Sequence, residues 1–366
     1  MLTKFSVKNY RGFADKIEWD LSKPSNYEFN QYAIKDGIIK NGIIYGHNGS
    51  GKTNFGMAIF DIVNHLSQKW KKPDYYVNFV YAGRQASAVE FAYVFVFDNQ
   101  KVTYTYSKNQ QGALLTESLK VGNKKIFNKT EDALTFFTSE FSSIDQAVVK
   151  NLESNANNVS IVNFLSATCP LPENHYLIQL QQFANSMLWF RCLNETEFIG
   201  LETGVSFLDE YIIRNNLVKD FSRFLFEVSD QKFDFVKPNI SDKLLFCRIG
   251  NSKIAFHLIA STGTNSLELL YFWISKLGRA KFVFIDEFDA FYHFRLSLNV
   301  CRRLFSLNTQ VFLTTQNTLL MTNDLLRPDC NFVIKDNKIK SLSDSTDKEL
   351  RQGHNIEKLY RGGAFN

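Results

Sequence analysis

The chain has 366 residues, of which 45% are hydrophobic and 22% charged, with only 6 Pro and 18 Gly; this excludes a disordered, collagen-like or low-complexity protein. That length suits about two domains or one large α/β domain. Lys+Arg 42 against Asp+Glu 37 leaves a net charge of +5, which permits acidic partners such as nucleic acid without requiring them.

In chain order, Leu2, Phe5, Val7 and Tyr10 form a strand pattern, and Ile17–Leu21 a second one after the Arg11-Gly12 turn, so a hairpin is predicted at the start. Ile38-Ile39 and Ile43–Tyr45 lead into Gly46-His-Asn-Gly-Ser-Gly-Lys-Thr53. Beyond it, Phe55, Ala58, Ile59, Ile62, Val63 and Leu66 keep a helical period. Glu90–Phe97 and Lys101–Tyr106 are β-rich runs on either side of a turn at Asp98-Asn99-Gln100. Strand character then fades between 131 and 239, where Leu177, Leu180, Phe183, Met187 and Phe190 stand at helical spacing across Tyr176–Phe190. A helical insert is predicted there.

Leu244–Ile249 and Lys253–Leu258 restore a hairpin around Gly250, and Leu267, Leu270, Tyr271, Ile274 and Leu277 mark an amphipathic helix. Phe282–Ile285 and Val311–Leu313 are short, continuous apolar runs, the pattern of central parallel strands covered on both faces. The expected fold is α/β, with a mixed or parallel central sheet, an antiparallel β-subdomain and a helical insert. Residues 1–130 and 240–366 would form a discontinuous main domain, and 131–239 a lid-like subdomain.

The five cysteines, Cys169, Cys192, Cys247, Cys301 and Cys330, lie far apart with no C-x-x-C pair, so neither a zinc site nor a disulfide framework is expected. No signal-like apolar segment opens the sequence and no 18-residue apolar run occurs, so a soluble cytoplasmic chain without a membrane partner is expected.

The stretch Gly46–Thr53 matches G-x-x-x-x-G-K-[ST], in which glycines let backbone N–H groups wrap phosphate oxygens at a helix N-terminus. Gly46, Asn48, Gly49, Ser50 and Gly51 would form that cradle. Lys52 would span the β- and γ-phosphates, and Thr53 would offer its hydroxyl to Mg2+. Phe282–Glu287 places two carboxylates at a strand end, where Asp286 would hold the metal and Glu287 would activate water. Ser261-Thr-Gly-Thr264 precedes the amphipathic helix. It reads either as a helix cap or as a second phosphate cradle, and two cradles suggest two chains sharing each nucleotide.

With these motifs the sequence resembles the ABC-type ATPase heads of the SMC, RecF and OLD group, and most closely the short bacterial AAA-family ATPases of phage-defence operons. Lys8–Phe13 looks like their N-terminal motif, Gly46–Thr53 like Walker A, Ser261–Thr264 like a degenerate signature, Asp286-Glu287 like Walker B, and Asp289–His293 like the D-loop. The resemblance implies ATP and Mg2+ as cofactors and a homodimer or higher oligomer in which Ser261 and Gly263 of one chain meet the nucleotide held by Lys52 of the other. Arg11 would approach that nucleotide or stand as a solvated turn residue, and His293 would be structural.

Where those ATPases carry a switch histidine, this chain has Gln316, which accepts and donates hydrogen bonds but carries no charge near neutral pH; slow turnover is therefore expected. No Q-loop glutamine stands out in the sequence. Only 50 residues follow Gln316, too few for an added nuclease unit, and Asp347–Phe365 reads as a charged terminal helix. The expected function is thus an ATP-gated sensor or scaffold for a separate effector such as a nuclease. The alternative is a RecF-like repair clamp with DNA as its partner.

Overall fold

The computed structural model describes residues 1–67, 73–83, 88–153, 159–192, 198–200 and 207–365. Its strands fall mainly into two sheets of seven strands each. The first is antiparallel throughout and begins with the predicted hairpin, in which Leu2–Lys8 pairs with Ile17–Asp20 and sets Phe5 opposite Trp19. On its other side Leu2–Lys8 pairs with Val89–Phe97, and the sheet continues through Gln100–Lys108, Leu114–Val121, Lys124–Lys129 and Leu134–Phe136. In Val89–Phe97 every second residue from Val89 to Phe97 is buried, the period-2 mark of a sheet with one covered face. Asp98 and Asn99 both take positive φ, which gives the two-residue turn the twist that the flanking strands need.

The second sheet has the order Phe198–Gly200, Met187–Arg191, Phe282–Asp286, Gln310–Thr315, Asn41–Tyr45, Asn331–Lys335, Lys338–Ser341. Its five inner strands are parallel and its two edge strands antiparallel. Phe282–Asp286, Gln310–Thr315 and Asn41–Tyr45 are buried at every position, as continuous apolar runs in a sheet covered on both faces must be. The register pairs Arg191 with Asp286, Ile285 with Leu313 and Thr315 with Tyr45, so four strands end along one edge.

The two sheets meet around Trp19, whose ring lies 5.5 Å from Phe55, 4.5 Å from Phe312 and 5.5 Å from Phe332. Gln310 stitches them together: its side chain accepts from Leu2 N at 2.8 Å and donates to Leu2 O at 2.9 Å. The helical period after the glycine loop resolves into two helices, Lys52–Ile59 and Asp61–Leu66. The second of these plants the fully buried Asp61 against the antiparallel sheet. There its carboxylate accepts from Tyr106 at 2.8 Å, from Lys108 at 2.7 Å and from Tyr75 at 3.1 Å. A buried charge with this many donors satisfies its polar valences in the core.

Four expectations are corrected. The segment Tyr176–Phe190 is a helix only over Tyr176–Asn185; after Ser186, Met187–Arg191 enters the central sheet as a parallel strand beside Phe282–Asp286. The stretch 131–239 is therefore not purely helical, because it supplies Met187–Arg191 and Phe198–Gly200 to the central sheet and Leu134–Phe136 to the antiparallel one. Its helices Leu208–Arg214 and Val218–Ser229 pack on Thr262–Lys276, with Tyr211 against Phe272 at 4.8 Å and Phe221 against Tyr271 at 5.0 Å. The hairpin around Gly250 is shorter than predicted, pairing Phe246–Ile249 with Ser252–Ala255 before a turn of helix at Phe256–Ile259. The terminal segment is helical only over Ile356–Arg361. Among the described residues no helix is long and apolar enough to cross a membrane.

Candidate functional site

The edge where Tyr45, Asp286, Thr315 and Arg191 leave the sheet is where open α/β sheets gather ligands, because loops rather than helices follow the strand ends. The strand Asn41–Tyr45 delivers the chain into Gly46–Gly51, and Gly51 caps the helix Lys52–Ile59 with φ +96°. A Cβ at Gly51 would lie 2.9 Å from the ring of Phe13, and one at Gly46 would collide with Ser50 Oγ and come within 3.0 Å of Ile334 O. Both glycines therefore let backbone approach where a side chain would fill the space. Lys52 folds back over the loop, its Nζ donating to Gly46 O at 2.6 Å and to His47 O at 3.0 Å. Burial lowers the Lys52 pKa, and the nearby Asp286 and Glu287 carboxylates oppose that shift.

Across the cleft, Thr53 Oγ1 donates to Asp286 Oδ2 at 2.7 Å, joining residues 233 positions apart in the chain. Asp286 is fully buried, and its other oxygen accepts from Thr314 Oγ1 at 2.7 Å. Arg191 completes the group: Nη2 reaches Asp286 Oδ2 at 2.9 Å and Thr53 Oγ1 at 3.1 Å, while Nε lies 3.2 Å from Asp286 Oδ2 and 3.8 Å from Glu287 Oε2. Glu287 takes φ +49°, a left-handed conformation that a Glu adopts only under local constraint; its N–H donates to Thr314 Oγ1 at 2.8 Å.

Gln316 Nε2 donates to Asn48 Oδ1 at 2.6 Å, tying the end of Gln310–Thr315 to the glycine loop. Glu287, Asp289, Tyr292, Thr315 and Gln316 line an open hollow of about 400 Å³ beside it. Burial pushes the Asp289 carboxyl up, against the hydroxyl of Thr315 2.7 Å away, which stabilises its charged form.

The structure thus gathers the glycine loop, Lys52, Thr53, Asp286, Glu287 and Gln316 at one sheet edge. Arg11 stands at the flank of the same helix, donating to Asn54 Oδ1 at 3.3 Å and Tyr75 O at 3.0 Å. Its neighbour Phe13 is the ring that presses on Gly51. Ser261 and Gly263 are not brought to this loop by their described contacts. Ser261 Oγ caps Thr262–Lys276 by accepting from Thr264 N at 3.2 Å, and the Cα of Gly263 faces Phe291 O. His293 likewise caps Phe294–Phe305, its Nδ1 accepting from Leu296 N at 3.4 Å.

Two site residues escaped the sequence reading. Arg191 directly follows the expected helix Tyr176–Phe190 and drew no attention, although Met187–Arg191 shares with Phe282–Asp286 the signal of four apolar residues ended by a charge. Thr314, in the strand Gln310–Thr315, holds both Asp286 and the Glu287 backbone.

The residues fit a nucleotide with its metal. Ser50 Oγ is buried in the glycine loop with no hydrogen-bond partner among the described residues, a Cβ at Gly49 would meet no atom within 4 Å, and the cation Arg191 already sits on Thr53 and Asp286. Together these residues form a strand, phosphate loop and helix facing an acidic strand end.

No protein-family model matches the chain, and no curated protein matches it in sequence. Among solved structures it is similar to the SMC head domain from Thermotoga maritima, at 15% identity and a TM-score of 0.46, over 93% of this chain and 97% of that one. It is also similar to an SMC head bound to the C-winged helix domain of ScpA, at 15% identity and 0.47, over 94% and 99%. A third is the Smc head domain with an extended coiled coil bound to the C-terminal domain of ScpA, derived from Pyrococcus furiosus, at 14% and 0.46, over 94% and 97%. Likeness of this order fixes neither activity nor partner.

Proposed function

We propose that the chain is an ABC-type ATPase head that binds ATP with Mg2+ at Gly46–Thr53 and hydrolyses it slowly. The observation that carries this reading is the 2.7 Å hydrogen bond from Thr53 to Asp286, which sets the hydroxyl of the glycine-loop helix against the buried carboxylate of a neighbouring strand. Backbone N–H groups of Asn48–Gly51 and the ammonium of Lys52 would hold the phosphates, and Thr53 and Asp286 the Mg2+. When bound, Mg2+ neutralises charge developing on the phosphoryl oxygens. Glu287, half exposed at the mouth of the cleft, would take the proton of the attacking water, and Gln316 would orient that water by hydrogen bonding.

In this reading two copies close over two ATP molecules, with Ser261 and Gly263 of one chain facing the loop of the other. Because the hydroxyl of Ser261 is engaged as a cap, the backbone at Thr262-Gly263 would make that contact. Support comes from Phe291, whose backbone carbonyl lies against Gly263 and whose residue is exposed. The head is discontinuous, 1–130 with 240–366, and 131–239 adds Leu134–Phe136 to the antiparallel sheet and Met187–Arg191 and Phe198–Gly200 to the central one. We further assign it the gating of a separate effector, such as a nuclease in anti-phage defence, on the resemblance of its motifs.

Equilibrium ATP binding tests the core of the proposal. Lys52→Ala should abolish ATP retention while leaving the thermal transition close to that of the parent. Equal affinity in the two proteins would remove the phosphate-loop assignment.

A further inference from the structure

We propose that Arg191 is the resident cation of the resting site, a latch that Mg2+ must displace before the nucleotide can be gripped productively. This rests on the ATP and Mg2+ reading above and assigns a residue to its regulation. The two oxygens expected to hold the metal, Thr53 Oγ1 and Asp286 Oδ2, both face the same guanidinium nitrogen, at 3.1 Å and 2.9 Å. Thr53 gives its proton to Asp286 and a lone pair to Arg191, so the hydroxyl is committed on both sides.

A divalent ion and the guanidinium cannot share this pair of oxygens. They would be like charges a few ångströms apart in a cleft whose carboxylate is fully buried. Until metal arrives, Arg191 keeps Asp286 compensated, which removes the penalty of a buried bare charge. Once displaced, it remains at the cleft mouth beside Glu287, from which Nε is 3.8 Å away in the resting geometry. There it acts as a positioning residue for the carboxylate expected to receive the proton.

Placement follows from the fold. Met187–Arg191 runs parallel to Phe282–Asp286 with Arg191 in register with Asp286, so the guanidinium is aimed across one strand spacing at the carboxylate. A helix continued to Phe190, as the periodicity suggested, would not fix this register.

The test is Mn2+ binding, read by the electron paramagnetic resonance of the free ion, in the presence of a non-hydrolysable ATP analogue. Arg191→Gln, which removes the competing positive charge from the two metal-facing oxygens, should bind Mn2+ about tenfold or more tightly than the parent. Arg191→Lys, which keeps the charge, should stay close to the parent. Unchanged or weaker Mn2+ binding by Arg191→Gln would overturn the latch. The unaltered protein gives a second readout: in crystals with analogue and Mn2+ the guanidinium should leave hydrogen-bond distance of Asp286. A guanidinium still on Asp286 with the metal bound would also overturn it. A parent that binds analogue and loses it on Lys52→Ala, yet fails these tests, leaves the ATPase reading standing and removes only the latch.

Discussion

At the residue scale, Asp286 and Glu287 are neighbours with opposite environments. Asp286 is sealed in the sheet and held by Thr53, Thr314 and Arg191, whereas Glu287 turns out of the strand with positive φ and stands at the cleft mouth. This division suits one carboxylate to a fixed ligand role and the other to proton transfer, which needs access to water. Glu287→Gln should therefore slow single-turnover ATP hydrolysis by about 10²–10⁴-fold with little change in ATP affinity. An unchanged rate in that variant would make Glu287 structural. Gln316 adds the other half of the kinetic expectation: bonded to Asn48 and unable to hold a proton near neutral pH, it should leave turnover in the parent below the usual enzyme median of about 10 s⁻¹.

At the scale of elements, the helix Asp61–Leu66 is bound to the antiparallel sheet by polar as well as apolar contacts. His65 stacks on Tyr106 at 4.1 Å, and its Nε2 meets Tyr104 Oη at 2.6 Å; that hydroxyl in turn donates to the buried Glu117 at 2.7 Å. Burial, with Lys108 nearby, pushes the His65 pKa well below 6.5. The folded ring stays neutral where the unfolded one takes up a proton, so the stability that His65 provides is present above pH 6.5 and is lost as the pH falls below it. The loss should be at most about 1.4 kcal/mol per pH unit. Denaturant unfolding between pH 7 and pH 5.5 should show a steeper loss in the parent than in His65→Gln. Parallel slopes would mean that the contact does not perturb His65.

The elements also show what was legible in the sequence. The glycine loop, the Asp-Glu strand end and the opening hairpin announce themselves because each has a local signature: turn glycines, an apolar run ended by charge, period-2 alternation. The strand Met187–Arg191 does not, because five residues are too few to outvote the helix before it, and Met187 and Phe190 happen to continue the period of Leu180 and Phe183. What separates helix from strand there is pairing with Phe282–Asp286, a contact across about a hundred residues that no local window contains. Arg191 was lost with it. Ser261 was read in two ways, and its cap on Thr264 follows directly from a hydroxyl placed before an apolar helix.

At the scale of the whole molecule, the two halves of the site come from opposite ends of the sequence and are joined by the central sheet. The same fold leaves the cap of Thr262–Lys276, the exposed Leu258, Phe291, Phe294 and Leu319, and the glycine loop as separate surface features. A second copy would join them, each chain supplying the half of a phosphate enclosure that the other lacks. A crystal structure grown with a non-hydrolysable ATP analogue and Mg2+ tests this directly. Two chains are expected, each triphosphate lying on Lys52 of one and under Thr262-Gly263 of the other. An empty glycine loop, or a nucleotide bound elsewhere on a single chain, would contradict it.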